Sequence, residues 1–191
     1  MNVYDFDGTI YRGDSTINFY LFCTRKNPLL IRYLPRQMLM LFLFLIKKIS
    51  KNKFKEEFFC FLNGIKDVDN LVSLFWKENR SKIYSWYLNQ CQEEDVIISA
   101  SPEFLLRPEL SAAVIASPIH PKTGKMEGEN CYGEEKVRRF RSLFGDAQID
   151  EFYSDTLSDE PMARQAKRSF IVCKGKPEAW PLKSGIQTKK G

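Results

Sequence analysis

The sequence predicts an α/β fold: a parallel β-sheet covered by helices, interrupted early by a helical insertion. Three observations lead there. From about Glu93 onward, short apolar runs alternate with stretches of helical periodicity, the pattern of strands joined by helical crossovers. Ahead of that part, from about Thr16 to Tyr87, there is no strand alternation, and the composition is rich in Leu, Phe and Lys. Several apolar runs also end in Asp or Ser followed by a small or turn-forming residue. In an open parallel sheet, ligands bind beyond the carboxyl ends of the strands, where such residues would gather.

The first strand is predicted at Val3-Tyr4, running into Asp5-Phe6-Asp7-Gly8-Thr9-Ile10. Residues i and i+2 of a strand share a face. Where the strand gives way to a glycine turn, the second carboxylate can enter the same pocket from another angle. Two such carboxylates suit phosphoryl transfer, in which one attacks phosphorus, its neighbour handles the proton, and a hard cation neutralises the phosphate. The plain alternative is a solvated turn after a buried strand.

The insertion follows, punctuated by Pro28, Pro35 and Gly64. Its most apolar run is Met38–Ile46, with Lys47, Lys48, Lys51, Lys53 and Lys55 just beyond. Nine residues fall short of the ~20 a spanning helix needs, and Arg32 and Arg36 bound the run upstream. Two readings stand: a buried helix followed by a solvated one, or an apolar helix and lysine cluster lying on an anionic membrane surface.

Beyond the insertion, Asp95–Pro102 reads as a buried strand ending in Ser99-Ala100-Ser101, with Pro102 opening a helix through Leu105 and Leu106. A strand at Ala113–Ala116 and a hairpin-like excursion from His120 to Gly128 come next. Gly133-Glu134-Glu135-Lys136 opens a helix with Val137, Phe140 and Phe144 on one face. Glu151–Ser154 is a strand running into Asp155-Thr156-Leu157-Ser158-Asp159, Pro161 starts a helix to about Lys167, and Ser169–Cys173 is the last strand. The tail, Lys183 to Gly191, is polar and expected to be loose. Asp5, Ser99 and Asp155 thus stand at the ends of three separate strands, facing one edge.

Composition narrows the function. Lys and Arg number 29 against 24 Asp and Glu, a net charge of +5 with no basic stripe interleaved with aromatics, so nucleic acid is not indicated as a partner. Five widely spaced cysteines and the single His120 make no zinc pattern and suit free thiols in a reducing cytoplasm, where the protein is expected. A strand-like acidic motif occupies the place of a secretory signal, so none is expected.

Taken singly, Ser99 is an ordinary strand-end hydroxyl, Lys136 a first-turn lysine, and Asp155 and Asp159 turn residues. Taken in order, Asp5-Phe6-Asp7-Gly8-Thr9, Ser99, Lys136 and the Asp155/Asp159 pair resemble the four motifs of the haloacid dehalogenase (HAD) superfamily of phosphatases. The last motif departs from the family's G-D-S-x-x-D by Ser154 for Gly and Thr156 for Ser. The resemblance implies a Rossmann-like core from residues 1–14 and 88–191, with residues 15–87 as an inserted helical cap of the C1 type. It implies Asp5 as nucleophile forming an aspartyl-phosphate, Asp7 as acid and base, and Lys136 as a charge-stabilising catalytic group. It further implies that Gly8, Thr9, Ser99, Ala100 and Lys136 bind phosphate, that Mg²⁺ is held by Asp5, the Asp7 carbonyl and Asp155, and that Asp159 orients from behind. The Ile98–Pro102 and Gly133–Lys136 motifs point to subclass IB, the phosphoserine-phosphatase-like branch, which also holds phosphatidylglycerophosphatases. The expected partner is a small phosphorylated, phosphoserine-like substrate; the alternatives are a lipid phosphate met at the membrane surface and a catalytically silent binding module on the same fold. Substrate identity, oligomeric state and the metal used in the cell are left open by the sequence.

Overall fold

A computed structural model describes residues 1–181; the polar tail from Lys183 to Gly191 lies outside them. Six strands form one sheet: β1 (Asn2–Tyr4), β2 (Val96–Pro102), β3 (Ala113–Ser117), β4 (Ile149–Ser154), β5 (Ala166–Cys173) and β6 (Lys176–Ala179). Their order is β3-β2-β1-β4-β5-β6. The first five run parallel and β6 pairs antiparallel with β5. The chain moves from β1 to β2 and β3 on one side, then returns past β1 to β4 and β5 on the other. Such a reversal leaves a crevice at the carboxyl end of the central strand, where Asp5 emerges.

Burial on both faces explains why the strands are continuously apolar rather than alternating. Val3, Val96, Ile98, Ile115, Ile149 and Phe152 face one side, where they meet Phe140, Met162 and Ala163. Those partners come from α7 (Glu134–Phe144) and α8 (Glu160–Ala163). Tyr4, Ile97 and Tyr153 face the other side. There they meet helices α1 (Ser15–Lys26), α3 (Lys51–Phe58), α4 (Val68–Asn79) and α5 (Ser85–Gln90) of the insertion, and the short α6 (Glu103–Leu106), while α2 (Leu34–Leu45) packs on α3. Phe19, Phe22, Phe75 and Trp76 carry that packing, in one cluster with Leu105 and Leu106. The Trp76 indole donates to the Leu105 carbonyl at 2.7 Å, tying the insertion to α6.

Two details differ from the sequence expectation at the far edge. The helix expected from Pro161 to Lys167 stops at Ala163, and β5 begins at Ala166 rather than Ser169. Lys167 and Arg168 are drawn into the strand by ion pairs across the sheet, Lys167 with Asp150 at 2.7 Å and Arg168 with Glu151. The strand from Ser169 to Cys173 is also not the last. Lys174 and Gly175, both at positive φ, make a two-residue hairpin that adds β6. Gly175 has a second reason to be glycine, since a Cβ there would lie 2.4 Å from the Tyr84 ring.

The apolar run of the insertion also departs from the buried-helix reading. Of α2 only Gln37 is buried, while Met38, Leu39, Phe42, Leu45 and Ile46 stand 56, 53, 57, 67 and 47% exposed. Counted with the 3-10 turn before it, Pro28–Leu45 has a mean hydropathy of 1.3 and, by length and composition alone, is long and apolar enough to cross a membrane. The five lysines do not form one cluster either. Lys47 and Lys48 are exposed, Lys53 pairs with Glu57 at 3.0 Å, and Lys51 and Lys55 line an open cavity.

The Trp76 bond gives a test of how firmly the insertion is held. Trp76→Phe keeps most of the ring packing and leaves the Leu105 carbonyl unpaired in the core, which costs ~1–3 kcal/mol. Urea unfolding should show the midpoint lowered accordingly; an unchanged midpoint would mean that the bond contributes nothing.

Candidate active site

Asp5 follows β1 directly, and its amide continues the sheet by donating to the Tyr153 carbonyl at 2.8 Å. Its side chain, 9% exposed, accepts from Lys136 Nζ at 2.7 Å through Oδ1. Lys136 comes from the first turn of α7, on the face turned to the sheet, and donates also to Asp159 Oδ2 at 2.6 Å. Asp159 is fixed in turn by the Ser154 hydroxyl at 2.8 Å. That contact gives Ser154, the departure from the family's glycine, a definite part. Lys136 and Asp159 are 2% and 1% exposed. Three charges, two negative and one positive, are therefore buried together. Burial opposes the charge on Lys136, but Asp5 and Asp159 outweigh it and hold the ammonium well above the ordinary lysine range. Burial pushes Asp5 up to about 7 against the pull of Lys136, with Asp159 adding to the rise.

Asp7 lies past the strand end with different partners. Oδ1 accepts the Ser15 amide at 2.6 Å at the start of α1, and Oδ2 accepts the Ser101 hydroxyl. Burial raises its pKa to about 6, Asp14 adds to the rise, and the Ser101 and Ser15 hydrogen bonds work against it. Asp5 and Asp7 thus occupy distinct settings, one paired with a buried ammonium and the other held by neutral donors.

The remaining motif residues divide. Asp155 and Asp5 are joined through Thr9, whose Oγ1 accepts the Asp155 amide at 2.9 Å and donates to Asp5 Oδ2 at 3.4 Å. Gly8 gives its amide to Tyr11 and Gly13 within the turn, at 2.9 and 3.0 Å. It has φ +72°, and a Cβ there would fall 2.0 Å from Asp155 Oδ2. Thr9 thus ties the Asp155 backbone to the Asp5 carboxylate, and Gly8 leaves room for the Asp155 carboxylate. Ser99 is buried and accepts the Ser101 amide at 3.0 Å, in the irregular part of β2 where the register with β3 shifts. Ala100 lines the cavity beside Asp7.

Among the described residues no three Asp, Glu, His or Cys side chains converge as a metal cage. The donor set nevertheless fits Mg²⁺, which takes one or two carboxylates and keeps several waters. Asp155 is pushed up by burial and by nearby Asp159, so negative charge is in excess here. Asp159 Oδ1 is buried with no hydrogen-bond partner among the described residues. A cation with its waters would relieve both.

Several residues here gave no signal in the sequence. Lys55 sits in a lysine-rich stretch that reads as surface. In the fold it gives its ammonium protons to the Ala100 carbonyl, to Ser117 Oγ at 3.1 Å and to Asn130 Oδ1 at 2.6 Å, clasping α3 onto β2 and β3. Burial lowers its pKa to about 7, and the neighbouring Lys51 adds to the drop. Asn130 and Ser117 lie in no motif. Ser101 was visible only as part of the strand-end Ser99-Ala100-Ser101.

Comparison with known proteins places the chain in a family and a fold. The family model described as haloacid dehalogenase-like hydrolase matches residues 3–164. A 93-residue segment is 32% identical to protein CicA of Caulobacter vibrioides, covering 43% of this chain and 42% of that protein, so the match spans less than half the relative's length. Among solved structures, a Bordetella pertussis protein of unknown function superposes with a TM-score of 0.72 at 18% identity, covering 90% of this chain and 89% of the other. A phosphoserine phosphohydrolase-like protein from Francisella tularensis gives 0.56 at 14% identity, covering 91% and 88%. At these identities the structures share the fold.

The setting of Asp7 predicts opposite shifts from two substitutions. Ser101→Ala removes a bond to the charged form and should raise the Asp7 midpoint, while Asp14→Asn removes a neighbouring charge and should lower it. Asparagine caps α1 as well as aspartate does. Carboxyl-carbon NMR titration reads both directions, and movement of the two variants the same way would contradict this assignment.

Proposed function

Because the chain belongs to the haloacid dehalogenase-like hydrolase family, we propose that it is a Mg²⁺-dependent phosphomonoester hydrolase working through an aspartyl-phosphate on Asp5, with a phosphorylated small molecule as substrate. One observation carries this reading: a buried carboxylate held by a buried ammonium, with a second carboxylate of raised pKa two residues on. A silent binding module would have no need for that costly arrangement.

Asp5 attacks phosphorus, and the bond from phosphorus to the leaving oxygen breaks. Asp7, whose pKa burial raises and whose carboxylate lies beside the cavity, gives its proton to that oxygen. It then takes a proton from the water that releases phosphate and restores Asp5. Lys136, held by Asp159, stabilises negative charge on Asp5 and on the phosphoryl oxygens. Ser99, whose oxygen already accepts the Ser101 amide, keeps its own proton to donate to phosphate. Bound Mg²⁺, held by Asp5, Asp155 and the Asp7 carbonyl, would offset the charge of the phosphate against that of the attacking carboxylate. The insertion, residues 15–87, serves as the cap that keeps bulk water from the phosphorylated Asp5, and Lys55 holds it onto the core.

A second reading, peripheral contact with a membrane, is favoured by the exposed apolar side of α2 and by Lys47 and Lys48 at its end. Each lysine near an anionic surface contributes ~1 kcal/mol, screened by salt. Replacing Lys47 and Lys48 by Gln should weaken co-sedimentation with anionic vesicles roughly thirtyfold at low salt. Wild-type protein left wholly in the supernatant would end this second reading.

The catalytic reading makes four expectations in one assay of phosphate release. Asp5→Asn should abolish turnover in a folded protein, and Asp7→Asn should be severely slowed at the release of phosphate from Asp5. Asp155→Ala should raise the Mg²⁺ concentration for half-maximal rate by at least about tenfold. Asp150→Ala, an exposed carboxylate paired with Lys167 and the N-terminus, should leave it unchanged. Wild-type turnover by Asp5→Asn would refute the mechanism.

A further inference from the structure

A cavity of about 440 Å³ opens beside Asp7, within the ~300–1,000 Å³ usual for small-molecule sites. Besides Lys55, the charged groups lining it are Asp7, Asp14 and Lys51. Asp14 caps α1 through the Ile17 amide at 2.8 Å, and Lys51 lies over the Tyr132 ring. Away from Asp7 the wall is apolar, made by Ile17, Leu34, Met38, Leu41, Phe54 and Phe58. The polar groups set in that wall are already consumed. Gln37 accepts from the Tyr20 hydroxyl at 2.7 Å and donates to the Phe58 carbonyl at 2.8 Å. Lys55 gives its three protons to Ala100, Ser117 and Asn130, which is all an ammonium has.

The chemistry fixes which part of the substrate meets this wall. Asp7 gives its proton to the leaving oxygen, so that oxygen lies at Asp7 and the organic group it carries continues into the space opening there. A short amino-acid-like group could meet Asp14 and Lys51 but would leave the apolar wall beyond them in water, and any charge pushed against that wall would lose hydration without a partner there. An aliphatic chain would lose nothing and gain by leaving water.

We infer that the cavity beside Asp7 takes an aliphatic chain, and that the substrate is an amphiphilic phosphomonoester whose released alcohol carries that chain. This rests on the phosphatase reading above and names its substrate class. The bond between phosphorus and the chain's oxygen breaks as the bond from Asp5 forms, and the Asp7 proton passes to that oxygen to give the alcohol. Water then takes the phosphoryl group as inorganic phosphate and returns a proton to Asp7.

The test is a chain-length series on the wild-type protein: butyl, hexyl, octyl and decyl phosphate, each below its micelle threshold, with O-phosphoserine and p-nitrophenyl phosphate alongside. kcat/KM should rise roughly two- to fourfold per methylene. The Kd of the matching alkyl phosphonates, which cannot be hydrolysed, should fall in parallel. Leu41→Asn should flatten both slopes. A lysophosphatidate in vesicles, set beside the dissolved series, distinguishes a bilayer source of the chain from a dissolved one, and turnover in either form supports the inference. Flat slopes with p-nitrophenyl phosphate still turned over would overturn the inference alone, as would O-phosphoserine outperforming decyl phosphate. Chain-dependent phosphonate binding with no turnover of any monoester would instead bring down the phosphatase reading and leave the chain site standing.

Discussion

Lys136 between Asp5 and Asp159 is the contact on which the rest of the structure depends. An ammonium and two carboxylates taken out of water cost several kcal/mol each unless they satisfy one another. Here the ammonium lies 2.7 Å from one carboxylate and 2.6 Å from the other. The elements that bring them together are β1, the first turn of α7 and the segment after β4. A sheet with β1 at its centre is the arrangement that lets all three end at one place. Thr9 donates to the outer oxygen of Asp5, and Ser154 joins Lys136 on Oδ2 of Asp159.

The three charges leave one negative charge over, and Asp155 and Asp7 add to it. The upward shifts of Asp5, Asp7 and Asp155 have burial as their first cause, with neighbouring carboxylates adding to each. A site so charged is poised for a cation and for a proton, the two partners that a phosphoryl transfer requires. Division of labour between Asp5 and Asp7 follows from their neighbours. The first sits against an ammonium that favours its charge, while the second sits among hydroxyl and amide donors with Asp14 nearby.

Above this site the insertion is held by aromatic packing and by one buried lysine. Phe19, Phe22, Phe75 and Trp76 share a core with Tyr4 and Ile97, so the insertion and the sheet face are one hydrophobic body on this side. Helix α2 is the exception. It packs on α3 through stacked Phe44 and Phe54, 5.1 Å between ring centres, and presents apolar side chains both to the cavity and to solvent. A helix with two apolar sides sits comfortably where one side meets an aliphatic ligand or an apolar surface.

The order of strands and helices, the four motifs and the residues Asp5, Asp7, Ser99, Lys136, Asp155 and Asp159 could be read from the sequence. Each signal is local: an apolar run, a glycine turn, a carboxylate beside it. Tertiary structure decided what depends on residues far apart in the chain. Lys55 became a clasp because Ser117 and Asn130, 62 and 75 residues away, supply its acceptors, and no local pattern encodes that distance. Gly8 and Thr9 also space and hold Asp155, because it arrives beside them from β4. β5 began early because Asp150 and Glu151 stand opposite Lys167 and Arg168, and β6 formed because a Lys-Gly turn could reach positive φ. The exposure of α2 was decided last. An apolar run states only that its side chains gain by leaving water; whether a core, a ligand or a membrane receives them depends on what the rest of the fold leaves uncovered.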